Sequence, residues 1–404
     1  MPAATPRVPP PPESAVLPLL VVLAFACFVA SLSLRIVDPV VPEIARDLLA
    51  SPELIALLAT AVAVPYALSQ PVLGPLGDTI GKARVMKVCL AVLCGSLMVC
   101  ALAPSVEILF AARIVSGLAG GGLIPVALAV VGDRFPMDQR QVALSRVLAA
   151  MILALLVGAT GSGLIADAFG WRVVMGVSAA MTAVSLLLTL VYLQPRGTAP
   201  AGSFNIGRIL IGYQAVFANP RARVCFTAVF VEGLLIFGFM PYVAILLEAR
   251  EAGGVREAGF IIAGMGVGGL IYAATVKSLL QRLGDMFSLM RLGGMLAGTG
   301  FVGVALSAPW WPAALAFVLI GFGFFSVHNS LQTQATELAP DHRGSAVSLH
   351  AFFFFLGQAA GVPLYRLLLG SLGATTTLLM AALVLSGLSL VLATLLSRPL
   401  PQTA

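Results

Sequence analysis

The chain has 404 residues, of which 59% are hydrophobic and only 10% are charged. A soluble protein carries roughly 25% charged residues, so this composition, with a mean hydropathy of +1.03, excludes an ordinary soluble domain. The net charge of +6 at pH 7 could suggest a nucleic-acid partner, but the cations lie mainly in short turns between apolar runs. We therefore expect a lipid bilayer around the chain and no bound nucleic acid.

Twelve apolar runs dominate the sequence. A transmembrane helix needs about 20 predominantly apolar residues, and each run approaches that length. Their approximate positions are 17–37, 52–73, 85–103, 108–131, 147–165, 171–193, 224–247, 260–280, 287–307, 310–332, 346–369 and 375–396. Because backbone groups in lipid must find partners within their own segment, the runs predict an all-α membrane protein.

The longest polar stretch, residues 194–223, divides the runs into six and six. The two halves echo each other, because Arg140 is followed by Ser145 after run 4 and Arg343 by Ser348 after run 10. Such repeats are typical of transporters built from two related bundles. We therefore predict twelve transmembrane helices in two pseudo-symmetric six-helix bundles. The predicted boundaries are a leader at 1–16, bundles at 17–193 and 224–396, a central loop at 194–223, and a tail at 397–404.

The basic residues fall mainly on one side of the predicted membrane. Segments on the side of the two termini hold sixteen of the 23 Lys and Arg residues, and segments on the other side hold five. Cytoplasmic segments of membrane proteins carry such an excess of Lys and Arg. The sequence therefore predicts a multi-pass protein of a bacterial inner membrane with both termini in the cytoplasm. The first run is too long for the core of a cleaved signal peptide.

The turn between runs 2 and 3 reads GPLGDTIGKARVMK and combines three glycines, one carboxylate and three cations. It resembles the loop-2/3 signature of the major facilitator superfamily, although Thr79 stands where the family prefers Arg. The resemblance implies that Asp78 caps a helix of the opposite bundle and that Lys82 pairs with Asp133, which closes the cytoplasmic side. A role in folding alone is the alternative. The gating residues carried over by the resemblance are Gly74, Asp78, Gly81, Lys82 and Asp133.

Runs 4 and 5 extend the resemblance. Run 4 contains ARIVSGLAGGG, in which Arg113 holds the place of a family arginine. The resemblance implies that Arg113 takes part in proton transfer or in binding an anionic substrate, and a structural ion pair is the alternative. Run 5 contains VGATGSGLIADAFGWR, which is similar to an element of proton-driven exporters with Ala159 in place of its proline. Its glycines, Gly158, Gly161 and Gly163, would serve coupling or close helix packing.

Two acidic residues inside apolar runs are candidates for carrying a proton. Asp38 lies near Arg35 at the end of run 1, and Glu232 is the only acid in run 7. An ionisable group at bilayer depth is costly, so it usually faces a cavity or a partner. We predict proton coupling by Asp38, Glu232 and Arg113. The alternatives are that Asp38 snorkels to the membrane surface and that Glu232 is a neutral acid bonded to a neighbouring helix.

Polar and aromatic side chains within the runs predict a substrate cavity between the bundles. His328 and Gln332 are about one helical turn apart and share a face of run 10. Aromatic rings on runs 7 and 11 would offer surface to an apolar or cationic ligand, whereas packing between helices is the alternative for each ring. The predicted cavity residues are Arg35, Tyr66, Gln70, Phe237, Tyr242, His328, Asn329 and Gln332.

The sequence contains no recognisable catalytic, nucleotide-binding or metal-binding motif. Two stretches, GMGVGG at 264–269 and GTGFVG at 298–303, fit a dinucleotide fingerprint but lie inside apolar runs and follow no strand. We therefore expect no enzyme, no metal and no cofactor, with a proton gradient as the energy source.

The function predicted from these features is secondary active transport by a monomer. The transporter would export a small hydrophobic or amphiphilic organic molecule, a drug or a metabolite, in exchange for protons by alternating access. One alternative is an uptake symporter or facilitator for a nutrient such as a sugar or an organic acid. Another is a non-transporting membrane sensor or scaffold.

Overall fold

The computed structural model of the chain describes residues 13–135, 137–194 and 206–397. Within these residues the structure is helical without strands, and twelve helices are long and apolar enough to cross a membrane. The predicted all-α membrane fold is therefore confirmed. We number these helices as spans 1 to 12 in chain order.

Eight spans are single helices, four are composite, and one further helix links the halves. The single spans 3 to 6, 8 to 10 and 12 are Lys82–Leu102, Val106–Arg134, Met137–Phe169, Trp171–Tyr192, Val255–Leu283, Met286–Leu306, Trp310–Thr336 and Ala374–Ser397. Span 1 comprises Glu13–Arg35, Asp38–Val40 and Val41–Asp47; span 2 Pro52–Ala56 and Leu58–Ile80; span 7 Arg221–Glu232, Gly233–Phe237, Met240–Tyr242 and Val243–Ala249; span 11 Pro340–His342 and Arg343–Leu372. The linker helix, between spans 6 and 7, is Ile206–Ala218.

Because consecutive spans run antiparallel, the molecule has two distinct ends. The linker end carries the linker helix and the connections after spans 2, 4, 8 and 10. The far end carries the connections after spans 1, 3, 5, 7, 9 and 11. Glycines with positive φ angles turn the chain sharply after spans 2, 5, 8 and 11, at Gly81, Gly170, Gly284 and Gly373. In a two-fold repeat of six helices, span 2 is equivalent to span 8 and span 5 to span 11, so the turns fall at equivalent positions.

Spans 1 and 7 are interrupted in the same way, 202 positions apart. A short 3₁₀ segment follows the break in each, with Pro39 in the first and Pro241 in the second. Proline cannot supply the backbone N–H that a continuous helix requires, so both spans bend at this level. The repeat continues to Leu49 and Glu251, which both adopt positive φ angles near 50°. The two halves therefore share local backbone geometry as well as helix order.

The halves meet along two pairs of crossing helices, span 2 with span 11 and span 5 with span 8. At the second crossing, Gly163 packs against Gly259, and a Cβ added at Gly163 would lie only 2.6 Å from the carbonyl oxygen of Val255. In the first crossing, the Thr60 hydroxyl donates to the Ala359 carbonyl at 2.9 Å. Small residues allow this close approach of backbones. The seam is therefore tight on the far side of the molecule.

Candidate functional site

A cavity of about 730 Å³ lies between the two halves. It reaches the linker end, where Tyr213 of the linker helix and Arg343 at the start of span 11 line its mouth. At its deep end it stops at Arg35 and Tyr66, on spans 1 and 2. The cavity is therefore a vestibule that enters from the linker end and ends at the tight seam.

The structure brings six of the eight predicted cavity residues to the wall of this vestibule. They are Arg35, Tyr66, Gln70, Phe237, His328 and Gln332. Most of the remaining wall is apolar, and its aromatic part consists of Tyr213, Phe324, Phe325, Phe354 and Phe355. The surface offered to a ligand is thus largely hydrophobic with a few polar groups, which is typical of small-molecule sites.

The other two predicted residues lie away from the wall. Tyr242 is buried inside the second half, where its hydroxyl donates to the Val362 carbonyl at 2.8 Å. The π-helical segment Gly233–Phe237 changes the rotation of span 7 ahead of Tyr242, so ideal helical spacing misplaces it. Asn329 interacts with Tyr272 of span 8 instead of facing the cavity. For these two residues the cavity prediction is corrected.

Arg35 forms the roof of the vestibule and connects the two halves. One guanidinium nitrogen, Nη2, donates to Oε1 of Gln358 in span 11 at 2.6 Å. The guanidinium also stacks on the Phe237 ring, 4.1 Å from its centroid. Its nitrogen Nη1 lies 3.5 Å from Asp38. The snorkelling alternative does not fit this arrangement, since Arg35 and Asp38 are buried.

Arg113 is buried behind span 1 and does not line the vestibule. Its side chain donates to the carbonyl oxygens of Ser33 at 2.7 Å and Leu34 at 3.4 Å. Span 1 is interrupted just beyond these residues, and the last carbonyls of a helix lack intrahelical donors. Arg113 therefore supplies the missing donors at the break. In this conformation its geometry is that of a structural group.

Glu232 is hydrogen-bonded to His328, with 2.8 Å between Oε2 and Nδ1. The carboxyl is buried and does not reach the vestibule, but the imidazole of His328 lines the wall. A second imidazole, His350 of span 11, lies with its ring centroid 4.9 Å from that of His328. The three side chains place a carboxyl behind two imidazoles, so a proton could pass between the vestibule and Glu232 through a ring.

Two functional residues, His350 and Gln358 in span 11, were missed by the sequence reasoning. His350 lines the vestibule, and Gln358 holds Arg35 from the opposite half. A usable signal existed, because both are polar residues inside an apolar run. The polar residues of span 10 are predicted to line the cavity on this same ground, whereas in span 11 the run of four phenylalanines is the more conspicuous feature.

The gating motif lies at the linker end and joins spans of one half. Lys82 Nζ lies 2.6 Å from Asp133 Oδ2, which connects the start of span 3 to the end of span 4. Gly81 provides the turn before span 3 with a φ angle of 99°. Gly74 and Asp78 lie outside the residues whose side chains are described. The described part of the motif therefore stabilises the first half and does not cross to the second.

The three glycines of span 5 face different surroundings. A Cβ at Gly158 would lie 2.6 Å from Leu32 of span 1, and Gly163 packs against span 8 of the other half. At Gly161 nothing lies within 4 Å of an added Cβ. Gly163 therefore belongs to the seam between halves, Gly158 to packing within the first half, and Gly161 to neither.

Both ends carry polar contacts that hold the present conformation. At the far end, Arg46 Nη1 lies 2.9 Å from both carboxylate oxygens of Glu248, which joins spans 1 and 7. At the linker end, the Tyr213 hydroxyl donates to the Pro71 carbonyl at 3.4 Å. Burial raises the pKa of the Tyr213 hydroxyl, so this group stays a neutral donor at physiological pH.

Comparison with known proteins agrees with this architecture. The chain is 26% identical to the uncharacterized MFS-type transporter YwfA of Bacillus subtilis, over 87% of this chain and 85% of that protein. It is 21% identical to multidrug resistance protein 1 of the same organism, over 85% and 87%. It is 23% identical to the putative multidrug resistance protein MdtD of Cronobacter sakazakii, over 87% and 86%.

The fold and the family model agree with these relatives. A crystal structure of a mutant of the peptide transporter POT superposes with a TM-score of 0.77 at 15% identity, covering 94% of each chain. This likeness supports the twelve-span fold in two bundles. The model of the Major Facilitator Superfamily matches residues 23–362. The chain therefore belongs to the major facilitator superfamily and is a membrane transporter, not an enzyme.

Proposed function

We propose that the chain exports a small hydrophobic or amphiphilic organic molecule in exchange for protons, by alternating access in a bacterial inner membrane. The observation that carries this proposal is a largely apolar vestibule, open at one end only, with His328 in its wall and Glu232 hydrogen-bonded behind it. Transporters of this build expose a site near the bilayer midplane to one side at a time. The vestibule is the site in one of those two states.

The charge distribution supports an orientation with the linker end in the cytoplasm. Basic residues are concentrated in the segments of that end, and cytoplasmic segments carry such an excess. Both termini then lie in the cytoplasm, and the vestibule is open to the cell interior. An exporter loads its substrate from the cytoplasm in this state, while the far-end seam and the Arg46–Glu248 pair hold the outer side shut.

The composition of the wall favours apolar over sugar-like ligands. Rings of Phe237, Phe324 and Phe354 pack edge to face or tilted on one another at centroid distances of 5.0 to 5.9 Å. Few hydrogen-bonding side chains stand among them, whereas a polyhydroxylated ligand needs many. Two of the relatives are named multidrug resistance proteins, which supports export.

The Glu232–His328 pair is the proposed site of the coupled proton. A buried carboxyl is far less costly when neutral than when ionised, so the proton leaves Glu232 only when the neighbouring imidazole and water can take it up. His328 lies between Glu232 and the vestibule, and His350 lies next to His328, so the two rings supply that route. Asp38 instead is paired with a permanent cation, Arg35, and not with a group that can itself take up a proton, which makes it the weaker candidate.

Efflux from proteoliposomes tests the proposal directly. Vesicles with the purified chain would be loaded with the fluorescent probe 1-N-phenylnaphthylamine and with pyranine to report internal pH. We expect an imposed pH gradient to drive release of the probe and the release to move protons the other way. Efflux that is unchanged after a protonophore collapses the gradient would refute proton coupling. Glu232→Gln transporting at a full, pH-independent rate would remove that residue from the mechanism.

A further inference from the structure

The vestibule wall carries positive charge and no negative charge. Among the residues that the structure describes, the charged or titratable groups of the lining are Arg35, Arg343, His328, His350 and the Tyr hydroxyls, and none is acidic. The buried acids nearest to the wall are Asp38 and Glu232. Each lies behind a basic side chain, Asp38 behind Arg35 and Glu232 behind His328. A ligand in the vestibule therefore meets Arg35 and His328 before it meets either acid.

Among the described residues, the two cations at the roof have one acidic neighbour between them, Asp38. Arg35 and Arg113 are both buried, and Asp38 is the acid that interacts electrostatically with both. Arg113 directs its guanidinium to two backbone carbonyls. In the described residues, Nη1 of Arg35 makes no hydrogen bond; its contact is the 3.5 Å ion pair with Asp38, whose two carboxylate oxygens also accept no hydrogen bond. Two permanent cations face a single carboxylate, and a buried charge without its partner is costly. A bound anion would remove that cost.

Further unpaired donors lie beside the same deep end. The Tyr66 hydroxyl and Nε2 of His350 are buried without a hydrogen-bond partner in the part of the chain that the structure describes. Both residues line the vestibule with Arg35. The side-chain oxygen of Gln358 accepts from Arg35, and its amide nitrogen is also without a hydrogen-bond partner in the described residues. Buried polar groups normally have partners. These three groups can all act as donors, as Nη1 of Arg35 does, and a carboxylate accepts hydrogen bonds from such donors.

The rest of the wall defines the body of the ligand. Phe237 and Phe355 adjoin the roof, since the Arg35 guanidinium lies over the first ring and the Tyr66 ring contacts the second at a tilt of 50°. A volume of about 730 Å³ lies within the range of roughly 300–1,000 Å³ found for sites of drug-sized molecules. An aromatic body would fill the space between the rings while its head group reached Arg35.

We propose that the substrate is an organic anion with an apolar, aromatic body and a single carboxylate or similar oxyanion, bound by Arg35. This inference names the substrate class of the exporter proposed above and rests on that function. Arg35 and the neighbouring donors select the head group, and the phenylalanines select the body. Organic cations are disfavoured because no carboxylate lines the described wall. Export of a monoanion against protons moves both charges down a negative-inside potential, so the membrane potential adds to the pH gradient.

Binding of three matched pyrene probes tests the proposal without any gradient. Pyrenebutyrate, pyrenebutanol and pyrenebutylamine share one ring system and differ in charge, and their fluorescence would report binding to the purified full chain in detergent. We expect pyrenebutyrate to bind about tenfold or more tightly than pyrenebutanol, because charge-assisted hydrogen bonds are the stronger ones. Pyrenebutylamine should bind most weakly. Equal binding of the three probes, or a preference for the amine, would overturn the proposal.

Substitutions of Arg35 connect the preference to this residue. Arg35→Gln should remove the preference, so that the affinity ratio of pyrenebutyrate to pyrenebutanol falls about tenfold, and the melting temperature of the variant in detergent would show whether it is folded. Arg35→Lys keeps the charge and should keep part of the preference. Arg282→Gln removes an exposed cation away from the vestibule and should change nothing. An Arg35→Gln protein that retains the full preference for pyrenebutyrate would also overturn the assignment.

Transport of the same probes separates this inference from the proposed function. Anion-selective binding without proton-driven efflux of pyrenebutyrate from proteoliposomes would refute export and leave the anion site standing. Proton-driven efflux of pyrenebutanol and pyrenebutylamine with no preference for pyrenebutyrate would refute the anion site and leave export standing. Anion-selective efflux that increases with an inside-negative potential in the direction of export would support both.

Discussion

The two halves of the transporter repeat each other in backbone and differ in chemistry. Spans 1 and 7 break at equivalent prolines, yet Arg35 of the first half stands where the second has Phe237, and these equivalents stack on each other. The first half buries permanent cations, whereas the second buries a carboxyl with two imidazoles. The difference teaches that one repeated backbone can hold buried arginines in one bundle and a carboxyl with two imidazoles in the other.

The largest expected effect tests whether the first half needs its second buried cation for folding. Arg113→Leu would leave the Ser33 and Leu34 carbonyls without donors and Asp38 with one cation fewer. Loss of one partner in a buried charged network costs about 3–5 kcal/mol. We expect a strongly lowered melting temperature in detergent for this variant and a smaller decrease for Arg113→Lys. A normal melting temperature with lost transport would instead assign Arg113 to the transport chemistry.

The next effect concerns the seam on which the halves meet. Gly163→Val would push a side chain into the Val255 carbonyl, and overpacking of this kind costs about 1–3 kcal/mol. The sealed far end should then open more often, which would lengthen the distance between nitroxide labels on Leu49→Cys and Glu251→Cys. Gly161→Val is the matched control, because space is open there. Equal distances in the two variants would show that this crossing does not hold the seam.

The coupling inside the second half should be smaller but specific. A double-mutant cycle of Glu232→Gln and His328→Gln would measure how far the two side chains act as a unit. We expect an interaction free energy on the order of 1 kcal/mol in unfolding, as for a typical intramolecular hydrogen bond, and the same loss of proton movement in both single variants. Additive effects on stability, with proton transport kept in His328→Gln, would separate the imidazole from the carboxyl.

The smallest effect is expected at the far-end ion pair. Arg46 is 62% exposed and Glu248 34% exposed, and exposed pairs contribute below about 1 kcal/mol. Arg46→Gln should therefore leave the melting temperature almost unchanged while slightly raising the solvent accessibility of the far end. High salt should produce the same slight increase in the wild type, because it screens the ion pair. The charge-swapped protein, Arg46→Glu with Glu248→Arg, should restore wild-type accessibility. If Arg46→Gln opened the far end more than Gly163→Val does, our ranking of the two contacts would be reversed.

The sequence predicts the spans well because hydropathy is a local property. The run at 108–131, for example, falls inside the observed Val106–Arg134. Which face of a span lines the cavity is harder to predict, because it depends on the rotation of the helix about its axis. His328 and Gln332 lie on a regular helix, and both reach the wall. Tyr242 follows a π-helical segment and points elsewhere.

Partnerships between different spans cannot be predicted from the sequence for a different reason. Arg35 bonds to Gln358, which lies 323 positions away, and no local pattern announces a contact at that separation. Glu232 and His328 were each singled out as candidates, but their pairing depends on how spans 7 and 10 pack. Isolated polar residues in apolar runs therefore indicate that a partner exists, while only the packing of the bundles identifies it.

The Arg46–Glu248 pair has a consequence for the ancestry of the chain. The two positions are 202 residues apart and equivalent in the repeat, so they meet close to the pseudo-two-fold axis. On such an axis a residue contacts its own counterpart. A duplicated gene with two identical copies would therefore have set arginine against arginine, or glutamate against glutamate, and like charges repel. The two copies must therefore differ at this position for the salt bridge to join the halves at the far end.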